Sequence, residues 1–170
     1  MEQFLKERGV TVVTLDRDPR DMCVSAIFHM HKFGKGLIEG SWFRDLTLDE
    51  QLELTLTGTD WYNSVYYIYR AFKGWRTSRM GHTVNFAYLL GPWGSGGTES
   101  QQLTQLRKLA QVLQAEKSDK ELIDIFYKVY ATGYTFHQGK VGMWKRYFTE
   151  KYEEIFKDLM RGIEHESDDL

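Results

Sequence analysis

Two stretches of this chain carry residue types that could hold an anion. The first is Asp16-Arg17-Asp18-Pro19-Arg20-Asp21, directly after the β-branched run Val10-Thr11-Val12-Val13-Thr14-Leu15. Arg17 would leave the carboxyl end of a strand beside a helix N-terminus. Backbone N–H groups and a guanidinium together suit a phosphate there. Ser25, further along the same helix, could add a hydroxyl donor. The same spacing also fits a well-capped helix whose Arg17 and Arg20 pair with Asp16, Asp18 and Asp21. The second stretch runs from Phe136 to Thr149. Gly139 and Gly142, three apart, stand there with Lys140, Lys145 and Arg146. Such a segment could turn backbone amides and positive charge toward an anion, or be a plain loop before a helix.

The elements that must position these groups can be read from periodicity and caps. Val10 to Leu15 reads as a buried strand. Asp18 caps a helix over Pro19 to Lys32, with Pro19 at its first position and Asp21 in its first turn. Thr47 with Glu50, Thr98 with Gln101 and Ser118 with Glu121 are capping boxes, each opening a helix. Gly58 ends the first of these. Asp60 is expected to cap the next helix, with Trp61, Val65, Ile68 and Phe72 on one face. Thr83 to Leu90 reads as a second strand and Gly91 to Gly97 as a loop. Leu103, Leu106, Leu109 and Leu113 form the inner stripe of the following helix; Leu122, Ile125, Phe126 and Val129 form the next. Thr149 precedes a last helix with the stripe Tyr152, Ile155, Phe156, Leu159 and Ile163. The order predicts an α/β fold with few parallel strands and many helices. A single domain over residues 1–163 and a frayed acidic tail over 164–170 are expected. Two strands make a poor sheet, so a completing chain or a second copy is expected.

Composition narrows the function. At 170 residues the chain has room for one domain with a real core. Lys and Arg number 22 against 24 Asp and Glu, a balance that speaks against a nucleic-acid binder. No apolar run nears the ~20 residues of a membrane span, and the charged start lacks a signal-peptide core. The one cysteine, Cys23, suits a reducing compartment and a cytoplasmic protein. Cys23 reads as a small core residue. His29 and His31 are two apart on a helix and face different ways, so no metal site is expected. No residue is assigned as catalytic.

The two anion-binding stretches together resemble a known family. Leu15 to Ser25 is similar to the R-D-P-R-D-x-x-V-S segment of sulfotransferases that use 3′-phosphoadenosine 5′-phosphosulfate (PAPS). Gly139, Gly142, Trp144, Lys145, Phe148 and Thr149 resemble their late R-K-G-x-x-G-D-W-K-x-x-F-T segment. Val84-Asn85-Phe86 to Leu90-Gly91-Pro92 resembles the strand and glycine loop between them. The resemblance covers Val10 to about Phe156 and corresponds to the later half of that P-loop-like fold.

The resemblance implies a site for PAPS or its product 3′,5′-ADP (PAP). Arg17 and Ser25 would hold the 3′-phosphate, and Phe86 would lie near the adenine. His137, Gln138, Gly139 and Lys140 would close over the phosphate. His137 and Gln138 stand where the family has Arg and Lys, Met143 replaces its Asp, and Ala87 replaces an acidic residue, which implies a weaker hold. The family's N-terminal P-loop and histidine base have no counterpart in the 16 residues before Arg17. The chain therefore reads as a truncated sulfotransferase domain, incomplete alone, passing a sulfo group to a hydroxyl or amine acceptor. The alternative is a non-catalytic relative acting through protein contacts. The family's dimer motif is partly matched by Lys145, Thr149 and Glu154, with Glu150 in place of its valine.

Overall fold

The computed structural model describes residues 2–33, 38–59, 63–77, 81–130, 132 and 139–165. The chain divides into two compact units, Met1–Arg17 with Lys73–Val141, and Asp18–Phe72 with Gly142–Leu170. Among the described residues no helix is long and apolar enough to cross a membrane.

The first unit is built on two parallel strands. Helix α1 (Glu2–Glu7) leads into β1 (Val12–Asp16). Helix α6 (Lys73–Thr77) leads into β2 (Gly81–Asn85). The register runs from Val12 opposite Gly81 to Asp16 opposite Asn85. A parallel pair needs a long crossover rather than a hairpin, and residues 17–80 supply it. The hydroxyls of Thr14 and Thr83, opposite each other, lie 3.0 Å apart. On one face Val84 is buried, while its register partner Leu15 and the next β1 residue on that face, Val13, are 52% and 40% exposed.

The expected second strand ends early. It stops at Asn85, and Phe86–Leu90 forms a short helix, α7. Asn85 makes the switch: its side-chain oxygen accepts the Tyr88 N–H at 2.9 Å, which caps a helix rather than continuing a ladder. A 3₁₀ turn over Gly91–Gly94 follows. Helices α8 (Glu99–Val112) and α9 (Asp119–Val129) open on two of the three capping boxes read in the sequence. The core of this unit gathers Leu90, Leu106, Leu122 and Phe126. The inner stripe of α8 is centred on Gln102 and Leu106, and Leu113 is exposed. Gln102 takes the place expected of a leucine because its amide donates to the Leu89 and Leu90 carbonyls at 3.1 and 3.3 Å. Those carbonyls end α7 and lack partners in that helix. In α9 the inner pair is Leu122 and Phe126, while Ile125 and Val129 are exposed.

The described elements of the second unit are all helical. It holds α2 (Pro19–Phe33), α3 (Ile38–Asp45), α4 (Leu48–Thr57), α5 (Val65–Ala71) and α10 (Glu150–His165). A 3₁₀ turn over Met143–Arg146 precedes α10. Cys23, Ile27, Phe43, Leu52, Leu56, Val65 and Tyr152 make the core. The α4 box forms as read, with Thr47 and Glu50 each accepting the other's N–H, and Gly58 ends the helix at φ +74°. The expected cap Asp60 and its neighbour Trp61 lie outside the described residues. Within them, α5 is capped by Ser64, whose oxygen accepts the Tyr67 N–H at 3.0 Å. Of the expected face Val65 is buried, while Ile68 and Phe72 are exposed. The α10 stripe holds at its ends, with Tyr152 and Ile163 buried. The Cys23 thiol is fully enclosed, and burial pushes its pKa up to about 12. It is a core residue and not a nucleophile at neutral pH.

Candidate functional site

In the first unit, the strand register decides where Arg17 goes. Asp16 and Asn85 are partners at the same end of the sheet. The residues that follow, Arg17 and Phe86, therefore leave the carboxyl ends of both strands side by side. The Arg17 guanidinium lies over the Phe86 ring, 4.7 Å from its centroid. The cation is held over the ring's negative face, and guanidinium N–H donors suit an oxyanion.

Phe86 opens α7, and Gly139 lies against the turn that follows that helix, its carbonyl oxygen 3.1 Å from where a Gly94 Cβ would be. Val141 donates its N–H to the Gly94 carbonyl at 2.9 Å, and Tyr130 donates its hydroxyl to the Gly139 carbonyl at 3.3 Å. Gly139 has φ +58°, and Lys140 is exposed. The glycines of the 91–97 turn are required by close approach. A Cβ on Gly94 would lie 2.4 Å from that of Leu90, and one on Gly96 would lie 2.7 Å from the Ala87 carbonyl oxygen and 2.8 Å from a Val141 methyl. That turn is filled by its own neighbours and is not a cradle for a phosphate.

In the second unit, the helix that begins at Pro19 binds the late loop. Asp18 caps it, accepting the Arg20 N–H at 2.9 Å. Asp21 is buried, and its carboxylate accepts the N–H groups of Gly142 at 2.7 Å and Trp144 at 3.1 Å. Arg20 reaches Asp18 at 2.8 Å and Glu153 at 3.2 Å, with its cation 3.6 Å from the centre of a Trp144 ring. Burial by itself would lower the Arg20 pKa, but the bonds and charges of Asp18 and Glu153 outweigh it and raise it. Arg20, Asp18 and Asp21 are therefore structural, as the ion-paired reading expects, with Glu153 rather than Asp21 as the second partner of Arg20. Ser25 sits one turn after Asp21 on the same face of α2 and is half-buried. Phe28 continues that face and meets Tyr147 edge-on at 5.9 Å.

Of the residues predicted for a nucleotide, Arg17 and Phe86 touch, and Gly139 and Lys140 belong to the same unit. Ser25 belongs to the second unit. His137 and Gln138 lie outside the described residues. The expected role of the Gly142 amide changes, because Asp21 already holds it. Sequence reading placed Asp21 at a helix start but missed this bond, since its partner lies 121 positions away and nothing local marks it.

No family model matches the chain, and no curated protein matches it. Among solved structures it is similar to mouse sulfotransferase SULT7A1 complexed with PAP, at 18% identity and a TM-score of 0.67. The match covers 96% of this chain and 62% of that one. The chain has a sulfotransferase-like α/β fold. It spans less than two thirds of the sulfotransferase it matches. At this identity the likeness shows the fold alone.

Proposed function

We propose that this protein is a PAPS-dependent sulfotransferase-type domain that binds the 3′-phosphoadenosine end of the nucleotide. The observation that carries the reading is the Arg17–Phe86 pair at the carboxyl ends of two parallel strands. An adenine nucleotide with a 3′-phosphate needs a cation and an aromatic face close together, and these two residues meet both needs. Gly139 and Lys140 add a left-handed turn and an exposed ammonium in the same unit. PAPS, when bound, supplies an activated sulfo group for a hydroxyl or amine acceptor. The work of Arg17 is then to hold and orient the phosphate. The site works in a reducing cytoplasm, which the single buried cysteine suits. Further chain or a second copy supplies the catalytic groups.

A second reading, a non-catalytic relative that acts through protein contacts, is favoured by the exposed Val13 and Leu15 on the sheet. Calorimetric titration with 3′,5′-ADP separates the two. Saturable binding that weakens about 10- to 150-fold in R17A, the worth of charge-assisted hydrogen bonds of about 1.5–3 kcal/mol, supports the nucleotide reading. S25A and K140A in the same titration report whether those side chains share the phosphate. Absence of binding at millimolar ligand supports the protein-contact reading.

A further inference from the structure

The second unit contains a pocket of about 560 Å³ that the nucleotide reading does not use. Val24, Ile27 and Phe28 of α2 line it together with Leu46, Leu48 and Tyr147. The size is that of a small-molecule site, and the walls are apolar, as such sites usually are.

One polar group in it has a fixed chemical identity. Gln51 is buried, and its side-chain nitrogen donates to the Phe43 carbonyl at 2.9 Å and the Leu46 carbonyl at 3.0 Å. Both amide hydrogens are thereby spent, and the amide cannot be turned round without facing oxygen to oxygen. The Gln51 oxygen must accept, and its partner 3.0 Å away is His31 Nε2. Nε2 therefore carries a hydrogen. In the neutral ring Nδ1 is left as a bare acceptor. The Phe43 ring meets the imidazole edge-on at 6.1 Å and limits its rotation. Gln51 is a positioning residue for His31.

We infer that this pocket binds an uncharged, mostly apolar molecule offering a single N–H or O–H donor, which His31 Nδ1 accepts. Arg44 also lines the pocket, so an anionic ligand is the alternative that the experiment has to separate. The inference does not rest on the nucleotide reading, because its residues and its test involve no nucleotide.

The test uses the full chain and measures binding of indole, 1-methylindole and indole-3-acetate by calorimetry. Indole is expected to bind saturably and about 5-fold more tightly than 1-methylindole, which has no donor; that is the worth of one neutral hydrogen bond. H31F is expected to abolish the preference while both ligands still bind. V24F, checked for a native circular dichroism spectrum, is expected to lose both ligands by filling the cavity. The inference is overturned by no saturable indole binding, by equal binding of indole and 1-methylindole, or by a preference that survives in H31F. It is equally overturned if indole-3-acetate binds more tightly than indole and R44Q removes the advantage.

Discussion

The Asp21 carboxylate accepts the Gly142 N–H at 2.7 Å, joining the first turn of α2 to the start of the 3₁₀ turn before α10. A second bond from the Trp144 N–H uses the other oxygen. Both donors are the orphan N–H groups of a helix start. The anion at this glycine is thus the protein's own side chain. Asparagine at this position keeps the shape but offers one acceptor, and its NH₂ then faces an N–H. D21N is expected to cost about 2–3 kcal/mol, lowering the melting temperature by roughly 4–12 °C for a chain of this size. Thermal unfolding followed by circular dichroism checks this. A change of under a degree would mean that the pair is not what holds the late loop.

Glycines in this chain divide into those that need their missing side chain and those that do not. Gly96 approaches the backbone of Ala87, where a Cβ would lie 2.7 Å from the carbonyl oxygen. Gly74, in α6, has nothing within 4 Å of its Cβ position. G96A is expected to destabilise by about 1–3 kcal/mol through overpacking. G74A is expected to stabilise by up to about 1 kcal/mol through helix propensity. Urea unfolding of the two variants side by side tests the contrast, and two changes of the same sign would contradict it.

How much of this was legible in the sequence depended on the range of the interaction. Thr47–Glu50, Thr98–Gln101 and Ser118–Glu121 were readable because cap and partner are three residues apart, and all three boxes form. The parallel pairing of β1 and β2 was not readable in detail, because its register joins residues 69 positions apart. Helix α7 was misread because Phe86 to Leu90 is apolar throughout. Such a run fits strand or helix, and the deciding group was the Asn85 side chain. Arg17 was recognised by type and place. Its contact with Phe86 became visible only when the register set the two strand ends level.

The capping box at Ser118 makes part of the first unit's stability pH-dependent. The Ser118 backbone N–H and hydroxyl, with the Lys117 ammonium, hold the Glu121 carboxyl down at about 2, against an ordinary value of 4.5. A carboxylate whose pKa is lower when folded stabilises the fold fully above its unfolded value and loses that contribution as pH falls. The window is therefore from about 4.5 down to about 2. Melting temperature is expected to fall across this window, less steeply in E121Q, whose amide oxygen still accepts the Ser118 N–H but has no proton to gain. Identical slopes for wild type and variant would show that the box contributes nothing to acid sensitivity.

Gln102 offers the sharpest test of the core, because its two ends are treated differently. Its nitrogen donates to the Leu89 and Leu90 carbonyls, while its oxygen is buried with no hydrogen-bond partner. The amide is retained for its donors. Q102M removes both bonds to the end of α7, at an expected cost of about 1–3 kcal/mol, partly offset because the lone oxygen goes too. Q102E puts a carboxyl against the same carbonyls. It can donate only when protonated, so folding must raise its pKa, and the variant should regain stability as pH falls from 7 toward 5. Q102M should show no such recovery. Urea midpoints at the two pH values, corrected for the wild-type change, decide the matter. If Q102E is as stable at pH 7 as at pH 5, then the donors of Gln102 do not hold α7 to α8.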